Sequence, residues 1–142
     1  MNTFERPYSK VDPFALIQAC KEDNMQSAKV ALHFGCDPNQ SSNGTALHWA
    51  SFHGNIDMAK MLLSSAANIE ILTENQSTAL FTAAFKGNYS NCNMDFIHKG
   101  SIDMVKFLLS QGADKSVRNN QGKTPLDIAL EKGFQSIATL LQ

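Results

Sequence analysis

An internal repeat with a period of 33 residues limits this chain to folds that are built from stacked units. The sequence GTALHWASFHG at residues 44–54 returns as STALFTAAFKG at residues 77–87 and as KTPLDIALEKG at residues 123–133. The first two copies are 33 residues apart, and the last two are 46 residues apart. Each unit of such an array is one supersecondary element that buries its apolar face only against its neighbours. We therefore expect a solenoid.

A second repeated segment locates the additional 13 residues of the longer spacing. NIDMAKMLL at residues 55–63 matches SIDMVKFLL at residues 101–109, and these copies are also 46 residues apart. We therefore assign an insert to residues 88–100. A weaker copy opens the chain, where positions from Leu16 to Leu32 match positions 31 residues later. These offsets predict an N-terminal extension and then a repeat domain of four units: residues 1–12, then 13–39, 40–72, 73–118 and 119–142.

Each unit carries the start and stop signals of a short helix followed by a second, amphipathic helix. Thr45, Thr78 and Thr124 each precede a small residue or a proline. This is the expected pattern where a threonine hydroxyl caps the start of a helix. A glycine that can end this helix follows at Gly54, Gly87 and Gly133. The next segment has apolar residues at helical spacing, namely Ile56, Ala59, Leu62 and Leu63. The pattern predicts two antiparallel helices in each unit.

These features resemble the ankyrin repeat. TALHWA at residues 45–50, TPLDIA at residues 124–129 and LLSQGAD at residues 108–114 look like its 33-residue signature, and the resemblance covers residues 13–142. It implies an all-α solenoid of about four stacked helix-turn-helix units with hairpin loops. It also implies a concave face, lined by the first helices and the hairpins, on which family members mostly bind other proteins. The signature histidine occurs only at His48, which we expect to bond to backbone and threonine groups.

The composition and charge of the chain exclude several other classes. Twelve basic and 13 acidic residues give a formal charge of -1 without any basic run, so we expect no binding to nucleic acid. No apolar segment is long enough for a membrane span, and the N-terminus lacks the apolar stretch of a signal peptide. Three widely spaced cysteines suit reduced thiols, with Cys20 as a small buried hydrophobe. We expect a soluble, monomeric protein of the cytoplasm, with the nucleus as the alternative.

The resemblance places the partner-binding residues on the exposed sides of the first helices and at the hairpin tips, and the apolar side chains of the insert add further candidates. The aromatic side chains could form a desolvated anchor for a partner, or they could fold over their own helices. The tip residues could contact a partner, or they could be solvated turn residues. Trp49 could fill space between helices and also widen the concave wall. The candidate residues are Trp49, Phe52, His53, Glu74, Asn75, Phe85, Lys86, Tyr89, Phe96, Asn120, Gln121, Lys123, Glu131 and Lys132.

The insert is the one segment that the period does not explain. Its first half is rich in Asn and Ser, so we expect it to be irregular. Its second half, residues 94–100, predicts a single helical turn that Asn93 caps and Gly100 ends. Its apolar side chains either dock on neighbouring helices or extend the binding surface.

The sequence gives no support for catalysis, a cofactor or a metal. Cys92 and His98 share the insert, and His53 could lie near them, but zinc sites want four ligands at short paired spacings. No orienting residue or phosphate-binding glycine loop accompanies them. We therefore expect an adaptor or scaffold that binds a protein and is not an enzyme. The alternatives are a regulatory or substrate-recruiting segment of an enzyme whose catalytic part is elsewhere, and a self-associating structural protein.

Overall fold

A computed structural model of the protein describes residues 12–86 and 94–142, and the side chains of residues 86 and 94–101 are outside that description. The described residues form helices and loops without a strand, which confirms the predicted all-α solenoid. The helices are α1 (Ala15–Lys21), α2 (Met25–His33), α3 (Ala46–His53), α4 (Ile56–Ser64), α5 (Ala79–Lys86), α6 (Met94–Ser110), α7 (Pro125–Lys132) and α8 (Gln135–Leu141).

The helices begin and end where polar side chains and glycine permit it. The hydroxyl of Thr124 accepts a hydrogen bond from the backbone N–H of Asp127 at 3.2 Å, and the Asp127 carboxylate accepts one from the N–H of Thr124 at 3.0 Å. Asn55 caps α4 by accepting from the N–H of Met58 at 3.0 Å. Gly54 and Gly133 end α3 and α7 in the left-handed region, with φ of 68° and 78°. The predicted helix signals therefore act as expected at these positions.

The helices form two rows. Helices α1, α3, α5 and α7 contact one another in turn and form the first-helix row, while α4, α6 and α8 contact in turn in the second-helix row. Between the rows lies one continuous core, in which the most deeply buried large side chains include Leu47, Leu62, Leu80 and Leu108. Alanines at equivalent positions of the first-helix row let these helices pack closely, namely Ala50, Ala83 and Ala129, all fully buried.

Cys20 is part of this core and is fully buried. Burial in apolar surroundings raises the pKa of its thiol to about 12, with a smaller contribution from Asp23. Because only the thiolate is a good nucleophile, Cys20 acts as a small hydrophobic residue, as its helical pattern predicts.

The loop that follows each second helix is tied to the next unit by side-chain hydrogen bonds. The side-chain oxygen of Asn39 accepts from the N–H of Asn68 at 2.6 Å, and its amide nitrogen donates to the carbonyl of Ala66 at 3.1 Å. One unit further along, the Glu70 carboxylate accepts from the N–H of Asp114 at 2.9 Å. Successive units are therefore held in register by polar contacts as well as by the core.

Helix α6 differs from the prediction for the end of the insert. The sequence predicts a single helical turn that ends at Gly100, but α6 is one continuous helix of 17 residues that passes through this glycine. The expected stop at Gly100 is wrong, because a glycine favours a helix end without enforcing one. The predicted irregular half of the insert, residues 88–93, lies outside the described residues.

Replacing Gly100 with alanine tests the continuity of α6. In a helix interior, alanine is favoured over glycine, so we expect Gly100→Ala to raise the free energy of unfolding by about 0.5 to 1 kcal/mol. Chemical denaturation measures the change, with Gly133→Ala as the control because Gly133 has a positive φ and its replacement is strained. A loss of stability at both positions would mean that Gly100 ends a helix after all.

Candidate functional site

The hairpin tips and the first-helix row enclose an open groove with a volume of about 570 Å³, which we call the hairpin groove. Its floor comes from α3, α5 and α7, and its rim comes from the three hairpins that precede these helices. The lining residues are Asn43, Phe52, Thr73, Asn75, Ser77, Phe81, Thr82, Phe85, Asn119, Asn120, Gln121 and Ile128.

The floor of the hairpin groove is aromatic. Phe52 and Phe85 occupy the same position in consecutive units. Both rings are half-buried, so they are intermediate between freely exposed rings and core residues. Phe81 is buried and also lines the groove. The structure therefore brings together the two phenyl groups that the sequence predicts and adds a third.

The rim of the hairpin groove consists of polar, uncharged turn residues. The backbone N–H of Asn120 donates to the carbonyl of Asn75 at 2.9 Å, which joins two neighbouring tips directly. Within the last hairpin, the side-chain oxygen of Asn119 accepts from the N–H groups of Gln121 and Lys123, both at 3.0 Å. The predicted tip residues Asn75, Asn120 and Gln121 thus line one groove, while Glu74 is exposed beside them.

Trp49 and His53 lie beside Phe52 on α3 but do not line the groove. The rings of Trp49 and Phe52 pack edge to face with centroids 5.6 Å apart. The Lys21 ammonium group sits 5.6 Å from the Trp49 ring centre, and the Nε2 atom of His53 lies 2.8 Å from the Lys21 carbonyl oxygen. Trp49 is half-buried against the core, as expected for a residue that fills space between helices. Its contribution to the concave wall stays a prediction.

The predicted charged candidates at the far end of the groove are engaged with other side chains. The ammonium group of Lys123 is 2.5 Å from the Glu131 carboxylate, and that of Lys132 lies 5.6 Å from the centre of the Phe85 ring. Of the remaining candidates, Phe96 belongs to α6 and Lys86 ends α5, but their side chains are outside the description, and Tyr89 is outside the described residues altogether.

Several lining residues were not predicted as site residues. Thr82 and Ile128 line the groove at the position that Trp49 occupies in its own unit. The repeat register already gives this equivalence, so it could have identified both. Phe81 occupies the position that His48 has in the second unit. The resemblance implies a hydrogen-bonded turn residue at this position, and it does not imply a residue that lines a groove.

His48 is buried and connects two units. Its Nδ1 atom accepts from the N–H of Thr45 at 3.0 Å, so Nε2 carries the ring proton and donates to the carbonyl of Ser77, also at 3.0 Å. This is the bonding to backbone and threonine groups that the resemblance implies. Burial lowers the pKa of His48, although hydrogen bonds with the backbone of Ser77 and Ile71 oppose that effect. The imidazole is therefore neutral in the folded protein.

We expect the stability of the protein to fall as the pH drops below about 6.5, because the unfolded chain then binds a proton that His48 in the folded chain does not. Above this range His48 is neutral in both the folded and the unfolded chain, so it no longer makes the stability depend on pH. His48→Ala should remove this part of the pH dependence and cost about 1 to 3 kcal/mol through the lost hydrogen bonds. Urea denaturation at several pH values measures both effects. Equal slopes for the parent and His48→Ala would contradict the assignment.

Residues 12–86 and 94–142 also bear on metal sites and on membrane spans. Within these ranges, no cluster of three or more His, Cys, Asp or Glu side chains could hold a metal ion. Among the same residues, no helix combines the length and the apolar character that crossing a bilayer requires. Cys92 lies outside the described residues, and the side chain of His98 is not described.

Comparison with known proteins gives matches over most of the chain. A family model described as ankyrin repeats in three copies matches residues 16–94 and 90–142. The putative E3 ubiquitin-protein ligase XBAT34 of Arabidopsis thaliana is 38% identical over 81 residues, which cover 54% of this chain and 21% of that protein. The calmodulin-binding transcription activator CBT of Oryza sativa subsp. japonica is 45% identical over 53 residues, or 36% of this chain and 6% of that protein. The matched regions are therefore small parts of both relatives.

Proposed function

The chain belongs to the ankyrin-repeat family, and we propose that it is a protein-interaction module that binds a partner protein in the hairpin groove. Ankyrin repeats generally bind other proteins. The observation that carries the proposal for this chain is the groove itself, in which three phenyl groups lie inside a rim of uncharged polar residues. An apolar centre within a polar rim is the usual anatomy of a protein interface, and aromatic side chains are common among its strongest contacts.

The chemistry of the lining residues favours binding over catalysis. The groove offers hydroxyl and amide groups from Ser77, Thr82 and the asparagines. Among the described residues that line it, none is a histidine, a carboxylate, a cysteine or a lysine that could act as a general base or as an activated nucleophile. This lining supports a non-catalytic module, and we propose that it acts as a monomeric adaptor in the cytoplasm or the nucleus.

A second candidate function is the recruitment of a substrate or regulator for an enzyme whose catalytic part lies elsewhere. The observation in its favour is the similarity to a protein named as a putative E3 ubiquitin-protein ligase, of which the match covers only 21%. Both functions use the same groove, and they differ in what happens to the bound protein. Ubiquitin on the captured partner would favour this second candidate.

Site-specific photo-crosslinking in cells tests where the partner binds. A photoreactive residue at Gln121, on the groove rim, should form a covalent adduct with the partner on illumination. The matched control is the same residue at Gln111, which is also exposed but lies at the second-helix row beside Phe107. Adducts at position 111 without adducts at position 121 would refute binding in the hairpin groove.

A further inference from the structure

We infer that the hairpin groove takes an extended, uncharged segment of a partner protein and seats one large apolar side chain of that segment on Phe52, Phe81 and Phe85. This inference rests on the proposed function, since it names the class of ligand for the same groove. Three features carry it: the neutrality of the lining, the unused hydrogen-bonding capacity of the rim, and the phenyl floor.

The lining of the groove offers nothing to compensate a charge. None of the residues that line it is charged. Glu74 lies exposed beside the rim, and two other charged groups near the groove have partners within the chain. Lys123 pairs with Glu131 at 2.5 Å, and Lys132 lies over the ring of Phe85. A carboxylate or an ammonium group brought into this groove would lose water without gaining an opposite charge, which is costly. The uncharged lining therefore disfavours an acidic or a basic side chain on the floor of the groove.

The rim holds amide groups whose hydrogen-bonding capacity is unused. The side chains of Asn43, Asn75, Asn120 and Gln121 are exposed, and they make no hydrogen bond to any other described part of the chain. Each side-chain amide offers two donor hydrogens and an acceptor oxygen. A peptide backbone presents donors and acceptors of the same kind, so four such amides beside one groove match a segment whose backbone is unpaired.

This match favours an extended segment over a helix. In a helix, the backbone N–H and C=O groups bond to each other and leave only side chains for recognition. In an extended segment, both groups remain available to the amides of the rim. The side chains alternate in direction along such a segment, so one of them can point to the floor while its neighbours face solvent.

The phenyl floor fits an apolar side chain. Phe52 and Phe85 are half-buried, so part of each ring faces the groove and would lose contact with water when the groove is filled. Burial of apolar surface is the main favourable term at such a contact. Leucine, methionine or phenylalanine would cover the three rings better than a small residue.

Selection from a phage-displayed library of random linear peptides tests the inference. The full chain is the bait, and the variant with Phe52→Ala and Phe85→Ala is the matched counter-bait. We expect enriched peptides that share a large apolar residue, carry no net charge and bind the parent only. A synthetic copy of the strongest peptide should change its affinity less than about twofold between about 50 mM and 500 mM NaCl, since screening affects only charged contacts.

Other outcomes of the selection overturn the inference. Enriched peptides with runs of like charge, and an affinity that falls about tenfold or more with salt, would show that the groove prefers a charged segment. Enrichment that is equal on both baits, or no enrichment, would show that the groove does not take a linear neutral segment. The photo-crosslink at Gln121 tests the proposed function independently, because it detects the binding of any partner, whether folded or linear.

An isosteric variant gives a second test. Asn75→Asp combined with Asn120→Asp keeps the shape of the rim but replaces donors with acceptors and adds charge. It should weaken the binding of the enriched neutral peptide by about tenfold. Gln111→Glu, which adds a charge outside the groove, should have no effect. Unchanged affinity in the double variant would overturn the role of the amides.

Discussion

Replacing Leu80 with alanine should lower the free energy of unfolding by about 2 to 5 kcal/mol, the largest effect on stability that we expect from a single substitution in this chain. Leu80 lies on α5 in the centre of the first-helix row, and its side chain is fully buried. The substitution leaves a cavity between units that depend on each other for burial. Thermal and chemical denaturation should show the loss for the array as a whole.

Leu130→Ala provides the matched control. It is the same chemical change on a first helix, at a side chain that is 51% exposed. Its effect should stay within about 0.5 kcal/mol. If the two variants unfolded alike, Leu80 would not be a core residue and the repeat register would be wrong.

Removing the two half-buried phenyl groups of the groove should reduce partner affinity by about thirtyfold or more. The combined variant Phe52→Ala and Phe85→Ala deletes most of the apolar floor, and truncation of an aromatic anchor at an interface commonly costs at least about 2 kcal/mol of binding free energy. Calorimetric titration measures the change in affinity, with either the partner identified by photo-crosslinking or the selected peptide as the ligand.

Stability has to be measured alongside affinity in this variant. From the sequence, both rings are expected to be exposed anchors whose loss costs less than about 1 kcal/mol of stability. In the structure, Phe85 packs against the core, so we expect a somewhat larger cost. Phe107→Ala is the control, because it removes a half-buried ring from the second-helix row. A loss of affinity in this control as large as in the groove variant would indicate general destabilisation.

The repeat pattern was sufficient to predict the helix pairs because each signal has a direct local cause. A threonine or asparagine side chain caps a free N–H group, and a glycine adopts the left-handed conformation that ends a helix, as Gly54 and Gly133 do. The 31 and 46 residue offsets also carry over to the loops. Asp37, Asn68 and Asp114 each accept a hydrogen bond from the N–H two residues later, at 2.9 Å in every case.

The course of α6 and the composition of the groove could not be read from local signals. Gly100 is compatible with both a helix end and a helix interior, and the choice depends on what surrounds it rather than on its own residue type. Phe81 shows why the composition of the groove could not be read from local signals. Its place in the repeat is that of the buried His48, and its contribution to the groove depends on how neighbouring hairpins pack. The partner-binding roles of the candidate residues stay predictions.

The backbone hydrogen bond from Asn120 to Asn75 has a consequence for the thermodynamics and the rate of association. Two neighbouring tips that are already joined lose little conformational freedom when a ligand settles between them, so the entropic cost of ordering the receptor is small. Association should then be limited by diffusion and orientation rather than by a slow rearrangement of the loops. Differences in affinity among related ligands should appear mainly in their residence times.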